Sequence, residues 1–160
     1  MYEFPKKLKS LKYHENQSFA LHKNLILLHN KSRIRKLITD LQILFKERVG
    51  IPLDATAIRD SYLKKKYFDK YLILLCAELE KEKELDKIID KYENTQLKSG
   101  AYEIEVTKEF TLLKAIDFKG FEKGINTLNI ILEQTFSNYF KENEFEKYIQ
   151  IPSLSILDEI

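Results

Sequence analysis

The sequence predicts an all-α fold, a single-domain helical bundle of about five helices. Only four glycines and three prolines occur in 160 residues, which leaves few turns for a sheet of many strands. Apolar residues recur at steps of three and four along much of the chain, which is the period of an amphipathic helix. The stretch from Asp54 to Tyr92 contains neither glycine nor proline. It is therefore predicted as the long helix around which the bundle packs.

The residues just before this stretch favour a helix that begins near Asp54. Gly50 and Pro52 suit the end of a preceding helix, and Asp54 is a good N-cap residue. The segment Tyr71–Ala77 is apolar on every side, which is typical of a helix turn in the middle of a core. The charged residues 80–84 predict a solvated turn or a break into two helices.

Four further helices follow from the same periodicity. They are expected near residues 18–28, from about Ser32 to Val49, from Thr107 towards Gly120, and from Phe121 to Glu142. The segment Tyr102–Thr107 alternates with period two, which suits one short half-buried strand, against an irregular or helical segment as the alternative.

Residues 1–160 are interpreted as one domain, with a flexible basic arm over 1–15 and a tail over 150–160. The predicted core comprises Ile34, Leu37, Leu41, Phe45, Leu74, Leu75, Cys76, Leu79, Ile131 and Phe136.

The net charge of +2 conceals an asymmetry. Residues 1–70 hold 16 Lys and Arg against 7 Asp and Glu, a net of +9, and residues 71–160 hold 11 against 18, a net of −7. Such halves are compatible with a polyanion-binding face, with self-association, or with two solvated surfaces.

The sequence shows none of the usual signatures of an active site. The single Cys76 lies among apolar neighbours, and His14, His22 and His29 are not at metal-binding spacing. Glycine-rich phosphate loops and nucleophile elbows are absent from the sequence. We therefore expect no enzymatic activity, no cofactor and no metal. The longest apolar run is too short to span a bilayer and the first residues lack a signal-peptide pattern, so a cytoplasmic protein without membrane contact is expected.

Four cations near the start of the second predicted helix form a candidate anion site. Positive charge there opposes the helix macrodipole, so it works against stability and favours an anionic ligand. The alternative is that these side chains only keep the surface solvated. The candidate nucleic-acid-binding residues are Lys31, Arg33, Arg35 and Lys36, with Arg59, Lys64, Lys65 and Lys66 extending the basic face.

The segment Asn30–Ile38 resembles a signature near the start of the small helical subunit of type III-A CRISPR effector complexes, with matches at Ser32, Arg33 and Arg35. The predicted helix from Phe121 to Phe140 is similar to that family's C-terminal aromatic helix. The resemblance implies a short, all-α, non-catalytic subunit in antiviral defence that lines a groove along guide RNA and its target through basic residues.

Two functions remain open from the sequence. The first is a non-catalytic helical subunit that binds nucleic-acid backbone, RNA in particular, within a larger complex. The second is a helical adaptor or chaperone that binds protein without nucleic-acid contact. Other protein subunits or self-association are expected in either case.

Overall fold

A computed structural model shows a mixed α/β fold, and the predicted all-α bundle is wrong. The structure describes residues 1–21, 24–58, 70–77, 83–91, 96–141 and 149–159, and within them seven strands form one sheet with three α-helices packed on it. The fold that the CRISPR resemblance implied is therefore also wrong.

Seven strands within the described residues form the sheet. In chain order they are β1 Ser10–Leu21, β2 Leu25–His29, β3 Asp54–Ala57, β4 Tyr71–Ala77, β5 Tyr102–Val106, β6 Phe110–Ala115 and β7 Ile149–Asp158. Their order across the sheet is β1-β7-β5-β6-β4-β2-β3. All neighbouring pairs are antiparallel except β2 and β3, which are parallel.

Each of two helices connects a pair of strands that run in the same direction. Helix α1 (Arg35–Val49) connects β2 to β3, and helix α3 (Phe118–Lys141) connects β6 to β7. Strands β6 and β7 are both antiparallel to β5, so they run in the same direction. Both helices therefore begin at one end of the sheet, where β2 ends at His29, β6 ends at Ala115 and β4 begins at Tyr71. We call this the Tyr71 end.

The sheet is buried on both faces along β4. Alternate residues Tyr71, Ile73 and Leu75 join a large core with α1 and α3. The intervening Leu72, Leu74 and Cys76 join a smaller core with helix α2 (Lys83–Lys91) on the opposite face. A short run that is apolar on every side fits a central strand as well as a buried helix.

The predicted helix from Asp54 to Tyr92 is accordingly wrong. Its ends are the edge strand β3 and the helix α2, and its apolar centre is β4. The helix expected near residues 18–28 is replaced by the end of β1 and by β2, and the one expected after Thr107 is replaced by β6. The break considered at 80–84 lies mostly outside the described residues, and α2 begins at Lys83.

Three predicted elements are confirmed. Helix α1 ends at Gly50 in the left-handed conformation, with a φ of 69° that favours glycine. Helix α3 covers the predicted last long helix, and β5 is the strand anticipated over Tyr102–Thr107. Of the ten predicted core residues, eight are buried, Leu37 is partly buried, and Leu79 lies outside the described residues.

Both chain ends take part in the fold. The predicted arm over 1–15 contains the start of β1, and the predicted tail over 150–160 contains most of β7, its neighbour in the sheet. The hydroxyl of Tyr2 lies 2.6 Å from that of Thr135 on α3, and Leu8 is buried.

Asp117 caps helix α3 and ties it to the preceding loop. Its carboxylate accepts hydrogen bonds from the Ser99 hydroxyl at 2.6 Å and from the backbone N–H groups of Gly100 and Gly120. The Ser99 hydrogen bond, with support from these N–H groups and the charge of Lys119, lowers the pKa of Asp117. The lowered pKa means that the folded protein favours the ionised cap.

We expect Asp117→Ala to lower the free energy of unfolding by about 1 to 2 kcal/mol at neutral pH, because an N-cap is lost. A carboxyl with a lowered folded pKa stabilises the fold above its unfolded pKa, and this contribution is lost as pH falls through the folded value. Urea unfolding of both proteins from neutral pH into acid should show the difference shrinking below the ordinary pKa of 3.8. A difference that stays constant with pH would contradict this role.

Candidate functional site

The cations predicted from residues 31–36 lie at the Tyr71 end of the sheet. The Nζ atom of Lys31 lies 5.6 Å from the centre of the Tyr71 ring, and the guanidinium carbon of Arg33 lies 4.8 Å from it. Such cation–π contacts hold a cation in place while leaving its outer side available. Tyr71 itself is buried, so it provides a fixed support.

Asn30 fixes the turn that carries these cations. Its side-chain amide donates to the carbonyl of Lys70 at 2.8 Å, and its side-chain oxygen accepts from the N–H of Leu72 at 3.0 Å. This side chain therefore joins the end of β2 to the start of β4. The turn from Lys31 to Ile34 is thereby held against the sheet.

The N-terminus of α1 faces the same region. Ile34 stands at the N-cap and has no polar side-chain atom to accept a hydrogen bond from the first turn. Arg35 and Lys36 in that turn are exposed, and the turn contains no acidic residue. Partial positive charge from the helix therefore adds to the charge of the side chains.

His29, the last residue of β2, has a lowered pKa. Burial lowers its pKa, and the nearby charge of Arg35 acts in the same direction, while a hydrogen bond with the backbone of Lys31 opposes them.

An exposed aromatic ring lies beside the cations. Phe118, the first residue of α3, is 41% exposed, and its ring centre is 6.2 Å from that of Tyr71 in an edge-to-face arrangement. Because Arg33 contacts the same tyrosine, an exposed ring and exposed cations share one surface. We call this surface the basic end, defined by Lys31, Arg33, Arg35, Lys36 and Phe118.

Among the residues that the structure describes, Asp117, Asp158 and Glu159 also lie at the Tyr71 end, and each has a partner. Asp117 caps α3. Asp158 pairs with Lys6 at 2.9 Å, and Glu159 pairs with Lys9 at 2.5 Å. Asp158 and Glu159 are thus paired with lysines outside the basic end, whereas Asp117 keeps its negative charge next to Phe118 in the sequence.

The structure brings together the first four predicted site residues and leaves the second four untested. Arg59, Lys64, Lys65 and Lys66 lie outside the described residues. The expectation that the two sets share one face therefore remains a prediction.

A groove lies at the end of the sheet opposite the Tyr71 end. It is an open polar groove of about 490 Å³ between β1, β7 and the β5–β6 turn. Within it, Nε2 of His14 lies 2.7 Å from the Ser155 hydroxyl, which donates to Glu105 at 2.7 Å. Sequence reasoning missed this cluster because its members come from three strands and meet only through the sheet register.

The hydrogen bonds of this cluster run in a different direction from those of a catalytic triad with a serine nucleophile. The Ser155 proton points to Glu105, so His14 donates its Nε2 proton to the serine oxygen and does not receive one. The arrangement suits hydrogen bonding of a polar group better than activation of the serine by the imidazole.

Within the part of the chain that the structure describes, no group of three or more His, Cys, Asp or Glu residues is placed to hold a metal ion. None of the described helices has the length and apolar character that crossing a membrane requires. Comparisons with protein-family models, with curated proteins and with solved structures find no match to this chain.

Proposed function

We propose that the chain is a non-catalytic binding domain that holds single-stranded nucleic acid at the basic end, and that this nucleic acid is RNA. The observation that carries the proposal is the shared support of Arg33 and Phe118 on the Tyr71 ring. Proteins that bind single strands combine cations along the backbone with aromatic rings on which bases stack.

The electrostatics of the basic end support a phosphate ligand. Arg33, Arg35 and Lys36 are exposed, and the start of α1, whose first turn contains no acidic residue, adds the positive end of the helix dipole to the same region. In this arrangement the cations contact phosphates and Phe118 stacks on a base. Phosphate contacts of this kind position the strand without reading its sequence.

The proposal is tested by the salt dependence of binding to a fluorescent single-stranded oligouridine. For single strands, log K falls with log salt by a slope of about 0.7 per phosphate contact. Arg33→Gln with Arg35→Gln should therefore weaken binding and reduce the slope by about 1.4. Phe118→Ala should weaken binding by about tenfold or more, since a stacked base contributes roughly 1 to 3 kcal/mol, and should leave the slope unchanged.

A charge-matched control comes from the far end of the sheet. Lys46 and Lys108 are exposed there, and Lys46→Gln with Lys108→Gln removes the same two charges. An equal loss of affinity in both double variants would indicate that the oligonucleotide is attracted only by the net charge of the protein. Absence of binding at low salt would exclude the proposal.

A protein-binding adaptor is the second candidate function. The observation in its favour is that Ile43 on α1 and Phe140 on α3 are large apolar side chains that are 47% and 57% exposed. A partner held by such residues would stay bound at moderate salt and would be lost on Ile43→Ser or Phe140→Ser.

A further inference from the structure

The loop before β5 and the start of α3 carry two further cations at the Tyr71 end of the sheet. Lys98 in the loop and Lys119 in the helix are both exposed. A Cβ atom placed on Gly100 would lie 3.8 Å from Cδ of Lys119, so the side chain of Lys119 runs along this loop. We call Lys98 and Lys119 the lysine pair.

The loop that carries Lys98 is held against α3. The N–H of Ala101 donates to the carbonyl of Lys98 at 3.0 Å, which closes a turn. Within that turn, the carboxylate of Asp117 accepts hydrogen bonds from the Ser99 hydroxyl and the Gly100 N–H. The lysine pair therefore stands on a backbone that hydrogen bonds fix in place.

Two carboxylates near the lysine pair have closer partners of their own. Asp117 accepts hydrogen bonds from a hydroxyl and from two backbone N–H groups, and Glu159 pairs with Lys9 at 2.5 Å. Neither Lys98 nor Lys119 forms an ion pair with a residue that the structure describes. Their ammonium groups are therefore available to an anionic ligand.

Phe118 lies between the lysine pair and the cations of the basic end. It directly precedes Lys119, and it contacts the same Tyr71 ring as Arg33. The basic end follows β2 and the Lys98 loop leads into β5, with β4 and β6 between these two strands. Three strand spacings amount to about 14 Å. About four nucleotides cover that distance at a spacing of about 3.4 Å between phosphates along one strand.

We propose that the lysine pair is a second phosphate-binding subsite, and that the ligand is a continuous single strand of at least about four nucleotides. The strand runs across the end of the sheet from Arg33 to Lys98, with one base stacked on Phe118 between the two groups of cations. This inference rests on the proposed function, because it extends the same strand beyond Phe118. It specifies an oligonucleotide as the ligand in place of a mononucleotide or an isolated phosphate.

The salt dependence of binding to a fluorescent octauridine tests the second subsite, because this strand is long enough to reach both groups of cations. Lys98→Gln with Lys119→Gln should weaken binding and lower the slope of log K against log salt by about 1.4, the share of two phosphate contacts. Adding Arg33→Gln and Arg35→Gln should bring the loss of slope to about 2.8, because different phosphates are contacted. Lys98→Arg with Lys119→Arg keeps both charges and should keep the slope.

The far-end variant, Lys46→Gln with Lys108→Gln, is again the charge-matched control and should leave the slope nearly unchanged. The second subsite is overturned if Arg33→Gln with Arg35→Gln lowers the slope while the double glutamine variant of the lysine pair behaves like this control. The proposed function stands in that case. A parent protein that does not bind octauridine at low salt would overturn both.

The length of the oligonucleotide gives an independent measurement. A uridine dinucleotide has one internal phosphate and cannot reach both groups of cations. The affinity of the parent protein should therefore rise steeply with length up to about four nucleotides and more slowly beyond. In the double glutamine variant of the lysine pair, the steep rise should end at a shorter length. An octauridine that binds the parent no more tightly than the dinucleotide would overturn the proposal.

Discussion

Gly120→Ala is expected to lower the free energy of unfolding by about 2 to 3 kcal/mol, although alanine is the better helix former. A Cβ atom on Gly120 would collide with the backbone carbonyl of Ala101, whose carbon would lie only 3.0 Å away. Ala101 is fully buried next to β5, so neither backbone can move aside without disturbing the sheet. The overpacking therefore outweighs the gain of about 1 kcal/mol in helix propensity. Urea unfolding monitored by circular dichroism measures the difference.

Gly124→Ala, one turn later, is the matched comparison. A Cβ atom there would collide with the end of the Leu113 side chain and would approach the Tyr102 ring at 3.1 Å. The leucine can change rotamer, so the loss should be smaller than at Gly120. Glu122→Ala at an exposed position of the same helix should be close to neutral. A Gly120→Ala protein as stable as the parent would show that α3 does not pack closely on this loop.

Burial could be predicted from the sequence better than secondary structure. Leu74, Leu75 and Cys76 were expected in a core because they are apolar, and they are buried. That expectation does not depend on whether the segment is a helix or a strand. The secondary structure depends on neighbours, since β4 is held between β2 and β6 by pairings with residues 25–29 and 110–115. Local propensity carries no information about such distant partners.

The two long helices could be predicted because the sequence of each segment contains the helical pattern by itself, without information about distant partners. Helices α1 and α3 combine the 3.6-residue period with polar outer faces, and Gly50 ends the first of them. Strand β1 was missed because an irregularity between Tyr13 and Ser18 interrupts its register with β7. Asn16, with a φ of 59°, lies in that irregularity, and the alternation of β1 is broken there.

The candidate site was predictable only where it is contiguous in sequence. The cations from Lys31 to Lys36 follow one another, so composition was enough to find them. Tyr71 and Phe118 come from β4 and α3, and only the sheet topology brings them beside Arg33.

Glu103→Leu is expected to lower the free energy of unfolding by about 3 to 5 kcal/mol, because it removes the carboxylate that is paired with the buried ammonium of Lys114. Glu103 on β5 and Lys114 on β6 are directly paired across the sheet, and their charged groups lie 3.5 Å apart. Both residues are buried. The double variant Glu103→Leu with Lys114→Leu should recover most of the loss, since replacing a buried ion pair by apolar residues is often neutral or stabilising. Urea unfolding of the two single variants and the double variant gives the coupling between the two side chains.

The pH dependence of these variants provides a second test. Burial lowers the pKa of Lys114 below its ordinary value of 10.5, while Glu103, and more weakly Glu105, raise it and Lys70 lowers it. Removing Glu103 should lower that pKa further. Between the lowered folded pKa and 10.5 the unfolded chain binds more protons, so stability rises with pH across that window. The stability deficit of Glu103→Leu should therefore be full below the folded pKa of Lys114 in that variant and should narrow as pH rises through it, as a series of urea unfolding curves from neutral pH up to the ordinary pKa of 10.5 would show. A double variant as unstable as Glu103→Leu alone would mean that Glu103 acts through contacts other than Lys114.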